Sequence, residues 1–150
     1  MSPTLQIESA TLPDLPVVVE LLSRQLRDHG ITQSTDTLEY ALRGILEVPA
    51  RGHVFVARLD GQIVGLACLS FLWTLEHGGT AVWLDELYVL PEKRGDGVGG
   101  ALLRSALERA RQIGAVAVDL EVDVDHARAE RLYEREGFVR HERRRWVKFL

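Results

Sequence analysis

A chain of 150 residues and 16.8 kDa fits one compact domain and is long enough to bury a real core. Its 22 acidic against 18 basic residues leave a formal net charge of −4, which argues against a general nucleic-acid binder. The single cysteine, Cys68, excludes an internal disulfide and a cysteine-rich zinc module.

The opening MSPTLQIESATLPDLP has no basic stretch followed by an apolar one, so no secretory leader is expected. No apolar run nears the roughly 20 residues that cross a bilayer, which leaves a cytoplasmic location as the expectation. Repeats, low-complexity tracts and linkers are missing too, so residues 1–150 are expected to form one domain. Leu5-Gln-Ile-Glu alternates apolar and polar residues and predicts a short strand. Thr11 is a candidate cap for a helix starting near Pro13, with Leu15, Val18, Val19, Leu22 and Leu26 at helical spacing and His29-Gly30 at its end. Asp36 to Leu46 predicts a second helix.

From His53 the period changes to two. Val54 to Leu59 predicts a strand, Asp60-Gly61 a tight hairpin, and Ile63 to Phe71 the returning strand. A turn at His77-Gly-Gly precedes a third strand, Ala81 to Val89. After a glycine-rich turn, Val98, Leu102, Ala106, Leu107 and Ile113 mark the apolar side of a helix stopped by Gly114. A strand over Ala115–Val122, a helix over Ala127–Arg135 closed by Gly137, and an extended Phe138–Leu150 complete an α/β domain with a mixed sheet.

The glycine-rich turn carries the most information. Gly95, Gly97, Gly99 and Gly100 lie between a strong strand and a strong helix, with Lys93 and Arg94 beside them. Without side chains there, backbone N–H groups approach an anion closely, and the helix N-terminus adds about half a positive charge. This predicts a phosphate or pyrophosphate cradle, since an ordinary turn needs one or two glycines. Gly95-x-Gly97-x-x-Gly100 formally matches the dinucleotide fingerprint, with Asp119 or Glu121 downstream. Its context differs: Pro91-Glu-Lys-Arg separates the glycines from the strand, and a meander precedes them. A P-loop is excluded because no Gly-Lys-Ser/Thr follows.

With those residues in view, the chain resembles the GCN5-related N-acetyltransferase (GNAT) family in its small bacterial-type form. Arg94-Gly-Asp-Gly-Val-Gly is similar to the family's Arg/Gln-x-x-Gly-x-Gly/Ala motif, which wraps the pyrophosphate of acetyl-coenzyme A. Leu84-Asp-Glu-Leu-Tyr-Val-Leu-Pro-Glu resembles its splayed central strand, and Ala129-Glu-Arg-Leu-Tyr-Glu-Arg-Glu-Gly-Phe138 its second motif. The resemblance implies a mostly antiparallel central sheet flanked by helices, and acetyl-CoA as acyl donor to a primary amine. It also implies cofactor contacts through Leu87, Val89, Arg94, Gly95, Gly97, Val98, Gly99 and Gly100, mainly by backbone. His126 stands where many members carry an Asn that helps hold the cofactor, and Asp96 where Lys is common.

Amide formation from a thioester needs a group to take the amine's proton and another to supply the leaving thiolate. By resemblance Tyr133 is the acid; a phenol pKa near 10 lies close enough to a thiol's roughly 8.5 for donation. The base falls to Asp85 or Glu86. Strand alternation sends these two to opposite faces, and a twist or bulge would change which one meets the cleft. Asp119, Glu121, Asp123 and Asp125 alternate with apolar residues, either as the solvated face of a strand or as a wall attracting a cationic acceptor. No cysteine stands in a nucleophile setting, so transfer in a ternary complex is expected.

The five histidines show no metal-ligand spacing, and no metal is expected. Arg140-His-Glu-Arg-Arg-Arg reads as charged decoration of an edge strand, Cys68 as a buried residue, and Trp73, Trp83 and Trp146 by default as packing. By resemblance, the acceptor pocket is built from the first helices and Leu72–His77, and a homodimer is the family-based expectation. Two other classes stay open. One is a non-catalytic acyl-CoA-binding regulator; the other is a nucleotide-dependent oxidoreductase, on the glycine fingerprint alone.

Overall fold

The computed structural model describes residues 3–150; Met1 and Ser2, the start of the segment expected to hold no secretory leader, lie outside them. Strands β1 (Leu5–Ser9), β2 (Gly52–Leu59), β3 (Gln62–Thr74), β4 (Gly79–Val89) and β5 (Ala117–Asp119) form one sheet in sequence order. The first four pair antiparallel, and β5 joins β4 in parallel, which makes the sheet mixed and mostly antiparallel. Helices α1 (Leu15–Asp28) and α2 (Thr35–Glu47) precede β2, α3 (Val98–Gln112) precedes β5, and α4 (Ala127–Arg135) follows it.

Local chemistry accounts for most boundaries. At the β2–β3 hairpin, Asp60 (φ 50°) and Gly61 (φ 83°) both take the left-handed conformation that a two-residue turn requires. Ser34 Oγ accepts from the Thr37 N–H and caps α2. The first helix starts later than expected: Leu12–Asp14 is a 3-10 turn, and Asp14 reaches back to accept from the Thr11 N–H at 2.9 Å. Asp14 also accepts from Arg58 Nη2 at 2.7 Å, while Arg58 Nε donates to Glu8 at 2.7 Å. One guanidinium thus ties β1, β2 and the start of α1 together.

Both faces of the sheet are covered. Leu15, Val18 and Leu22 of α1 with Leu38 and Leu42 of α2 pack on Val54, Val56, Leu66, Cys68 and Tyr88. On the other face Leu102, Leu103 and Ala106 of α3 pack on Val64, Leu69, Val82 and Leu84. The residues buried on α1 and α3 recur at the three- and four-residue spacing read from the sequence, so burial on the sheet stabilises these helices.

Two expected strands are corrected. The one over Ala115–Val122 shrinks to Ala117–Asp119, because it pairs only with Ala81–Trp83 before the two chains diverge. Phe138–Leu150 forms no strand: beyond Phe138 it is irregular and exposed, with Trp146 and Phe149 at 90% and 88% exposure. Arg143 and Arg145 hold this segment to Glu76 and Glu121 by ion pairs of 2.6 and 3.4 Å. The divergence leaves residues 84–89 of β4 without a strand partner on one side among the described residues, and a cleft opens there.

Candidate active site

A cleft of about 650 Å³ fills the gap between β4 and the chain beyond β5. The C-terminal end of α1, the glycine turn and first turn of α3, the 121–126 loop and α4 complete its walls. Tyr133, Asp85, Glu86, Leu87, Val89, Arg94, Gly95, Gly97, Val98, Gly99, Gly100 and His126 all line it. Residues spread from Asp85 to Tyr133 therefore meet in one place.

Backbone direction explains the part played by β4. Leu90 N–H donates to Val64 O, so the residues bonded to β3 are Leu90, Tyr88 and Glu86. By alternation Leu87 and Val89 turn their N–H and C=O groups away from β3, toward the cleft. Their carbonyls already serve side chains there: Gln25 Nε2 donates to Leu87 O at 3.2 Å and Arg94 Nε to Val89 O at 2.8 Å. Arg94, expected to add a cation beside the cradle, is thus partly engaged, and it also stacks over Tyr88 at 5.4 Å.

The glycines divide into two kinds. Gly95 (φ +95°) and Gly97 (φ +83°) sit in the left-handed region, where only glycine is at ease. Gly99 and Gly100 lie in the first turn of α3 and have no such need. A Cβ on Gly99 would meet ordinary contacts at 3.7 and 3.8 Å, and one on Gly100 only the flexible end of Arg104. Glycine in a helix costs up to about 1 kcal/mol relative to Ala, and no intramolecular contact at Gly99 offsets it. No side chain caps α3 either. The N–H groups of its first turn therefore face the cleft uncovered, a ready site for an anion. Lys93 and Asp96 do not line it.

A β-bulge corrects the expected alternation of the carboxylates. Cys68 pairs with Glu86 but Leu69 with Leu84, so Asp85 is the extra residue. Val82 and Leu84 face α3, as do Leu87 and Val89. The bulge thus leaves Asp85 and Glu86 together on the opposite face, the one that carries α1. The Ser70 hydroxyl donates to Asp85. Burial pushes both carboxyls above their ordinary range. For Asp85 the Ser70 hydrogen bond and the charge of Arg145 oppose that rise; for Glu86 the Gln25 amide and His29 do.

Tyr133 is half-buried on α4, with Phe138 packed edge-on against its ring at 5.7 Å. Burial, and secondarily the charge of Glu86, pushes its phenol up to about 12, so it stays protonated and is a weaker acid than a free tyrosine. His126 caps α4, its Nδ1 accepting from the Ala129 N–H at 3.2 Å. Cys68, the cross-strand partner of Glu86, is buried, and burial pushes its thiol up, out of the thiolate range.

Sequence patterns missed Gln25, Asp28 and His29, which enter the cleft from the end of α1. Their spacing shows only that Gln25 and His29 share a helix side. The acidic run is not one strand face. Asp119 pairs with His77 at 2.8 Å, Glu121 and Asp123 line the cleft, and Asp125 sits in a turn. His29 Nδ1 bonds Asp123 across the cleft mouth. The Leu72–His77 segment, expected at the acceptor pocket, lies away from the cleft, and Trp73 is 80% exposed rather than packed. Among the described residues no metal-binding cluster of His, Cys, Asp and Glu occurs.

Comparison with known proteins bears directly on this geometry. The model of the acetyltransferase (GNAT) family matches residues 15–138. An uncharacterized N-acetyltransferase of Archaeoglobus fulgidus is 33% identical over 120 residues, covering 79% of this chain and 80% of that protein. An aminoalkylphosphonate N-acetyltransferase of Salmonella typhimurium is 37% identical over 86 residues, 57% of this chain and 56% of its own length. This chain thus spans little more than half of that relative. Among solved structures, an aminoglycoside N-acetyltransferase in complex with CoA superposes with a TM-score of 0.86 at 19% identity, over 99% of this chain and 97% of that one. The splayed β4–β5 edge, the uncapped helix behind a glycine turn and the matched sequence span agree: the chain belongs to the GNAT acetyltransferase family.

Proposed function

We propose that this protein transfers an acetyl group from acetyl-CoA to a primary amine, directly, within a ternary complex. One observation carries the reading: the unpaired stretch of β4 runs into the uncapped N-terminus of α3. An extended amide chain adds to an open strand edge as another strand would, and a pyrophosphate suits an array of free N–H groups with positive dipole. Backbone groups of Leu87 and Val89 would hold the pantetheine arm, and Gly95, Gly97, Val98, Gly99 and Gly100 the pyrophosphate. Arg94 and His126 flank this cradle.

Glu86, with its raised carboxyl, is the group we assign to accept the amine's proton, and Asp85 beside it adds charge that draws an ammonium inward. Asp28, Glu121 and Asp123 extend the negative lining, which favours a cationic acceptor. Tyr133 donates to the sulfur as the thioester C–S bond breaks. Its phenol is firmly protonated, so the hydrogen bond to the developing thiolate does most of the stabilising. Cys68, buried and protonated, takes no part as a nucleophile.

The test is a thiol-release assay with acetyl-CoA against spermidine, a lysine peptide and 2-aminoethylphosphonate, run on wild type and Tyr133→Phe. Release with an amine, cut at least about 100-fold in the variant while CoA affinity stays, supports catalysis. Undiminished release in the variant removes Tyr133 from the chemistry. Acyl-CoA binding without release from any amine favours a regulatory acyl-CoA-binding domain.

A further inference from the structure

The partly buried Glu86 raises a question of its own. Each turnover would leave a proton on a carboxylate held under α1, and that proton must reach water before the next cycle. The charge of His29 draws the Glu86 carboxyl down and that of Asp123 pushes it up. Exposure rises from His29 to Asp123. Glu86 is partly buried, the side chain of His29 is 28% exposed and that of Asp123 62%. The three groups come from β4, α1 and the 121–126 loop, and all line the cleft.

The hydrogen bond between His29 and Asp123 fixes how the ring is used. An ionised carboxylate only accepts, so His29 Nδ1 carries the proton it shares with Asp123. A neutral His29 then presents Nε2 as a lone pair. Resting on the acyl-transfer reading of this cleft, we propose that His29, held in this tautomer by Asp123, relays the proton from the amine–Glu86 site to solvent. The ammonium gives one proton to Glu86, which passes it to Nε2, and the imidazolium releases it to water. The amine's electron pair forms the bond to the acetyl carbon. The C–S pair goes to sulfur, and the second amine proton ends on sulfur by way of Tyr133. Atoms and charge balance with one proton released per amide formed. Asp123 is a positioning residue: it sets the tautomer and touches no reacting atom. Asp28, next to His29 on α1, is a further charge lining this end of the cleft.

Two measurements test the relay. Long-range 15N–1H spectra of the wild type, with the His29 signals assigned by loss in His29→Ala, should show the Nδ1–H tautomer in the neutral ring. Asp123→Asn retains an acceptor oxygen and should keep that tautomer; Asp123→Ala should lose it. In the thiol-release assay with acetyl-CoA and spermidine, His29→Ala should lower kcat about 100-fold, leave the KM for acetyl-CoA within twofold, and regain rate on adding imidazole. A merely structural contact would not respond to imidazole. An Nε2–H tautomer in the wild type, or a His29→Ala kcat within twofold of wild type, overturns the relay. The spectra need no acceptor, so they decide the tautomer even if the acyl-transfer reading fails, and that failure would show separately as no binding of acetyl-CoA by the wild type.

Discussion

At the scale of single residues, the cleft carboxylates couple stability to function in opposite senses. Because burial raises the folded-state value of Glu86 above the ordinary 4.5, its contribution to stability is present below that value and lost as pH rises through the raised one. Once ionised, Glu86 therefore destabilises the fold relative to its neutral form. Glu86→Gln should raise the melting temperature by a few degrees and abolish most acetyl transfer; a variant that melts lower, or keeps wild-type rates, counts against the assignment. The same sign places the acidic limb of the wild-type rate profile above the ordinary glutamate range. Asp85 shares a face with Glu86 because it is itself the inserted residue of the bulge. That pairing of carboxylates on one face was beyond a strictly alternating reading, because a bulge is set by what β3 offers opposite it, not by the residues Asp85 and Glu86 themselves.

Among the elements, α3 shows the trade most clearly. Gly99 occupies an ordinary helical position with room for a methyl group. Gly99→Ala should therefore stabilise the protein by up to about 1 kcal/mol. It should also weaken binding of CoA, whose pyrophosphate would lie against that turn. Calorimetry on one variant reads both, and unchanged CoA affinity would show that the anion sits elsewhere. The glycine turn, α3, α4 and the β2–β3 hairpin were legible in the sequence because periodicity and turn chemistry are local. The ends of β5 and the final segment were not. Apolar alternation continues through Val122, yet pairing stops at Asp119, because β4 diverges from β5 there and that divergence is a property of the whole sheet. His29 and Asp123 stand 94 residues apart, and nothing local marks either as a partner of the other.

For the whole molecule, the Arg58 cluster and the cleft set different limits. Burial alone would raise the Asp14 carboxyl, but hydrogen bonds from Arg58 and Thr11 outweigh it and hold the group below its ordinary 3.8. That contribution is fully present above the ordinary value and is lost as pH falls through the lower folded one. Asp14→Asn should thus cost about 2 kcal/mol at pH 7, as expected for breaking a partly buried charged pair, and should flatten the loss of stability below about pH 4. Urea titrations at several pH values check this, and parallel pH curves for the two proteins would contradict it. The central proposal is that the cleft binds acyl-CoA. The direct measurement is the thermal shift of the purified protein with acetyl-CoA, free CoA and NADH in parallel. Both coenzyme A forms should stabilise it, by roughly 2.7 kcal/mol at about 100 times the dissociation constant, and NADH should not. Stabilisation by NADH alone, or by none of the three, would contradict an acyl-CoA site and return the glycine turn to ordinary structure.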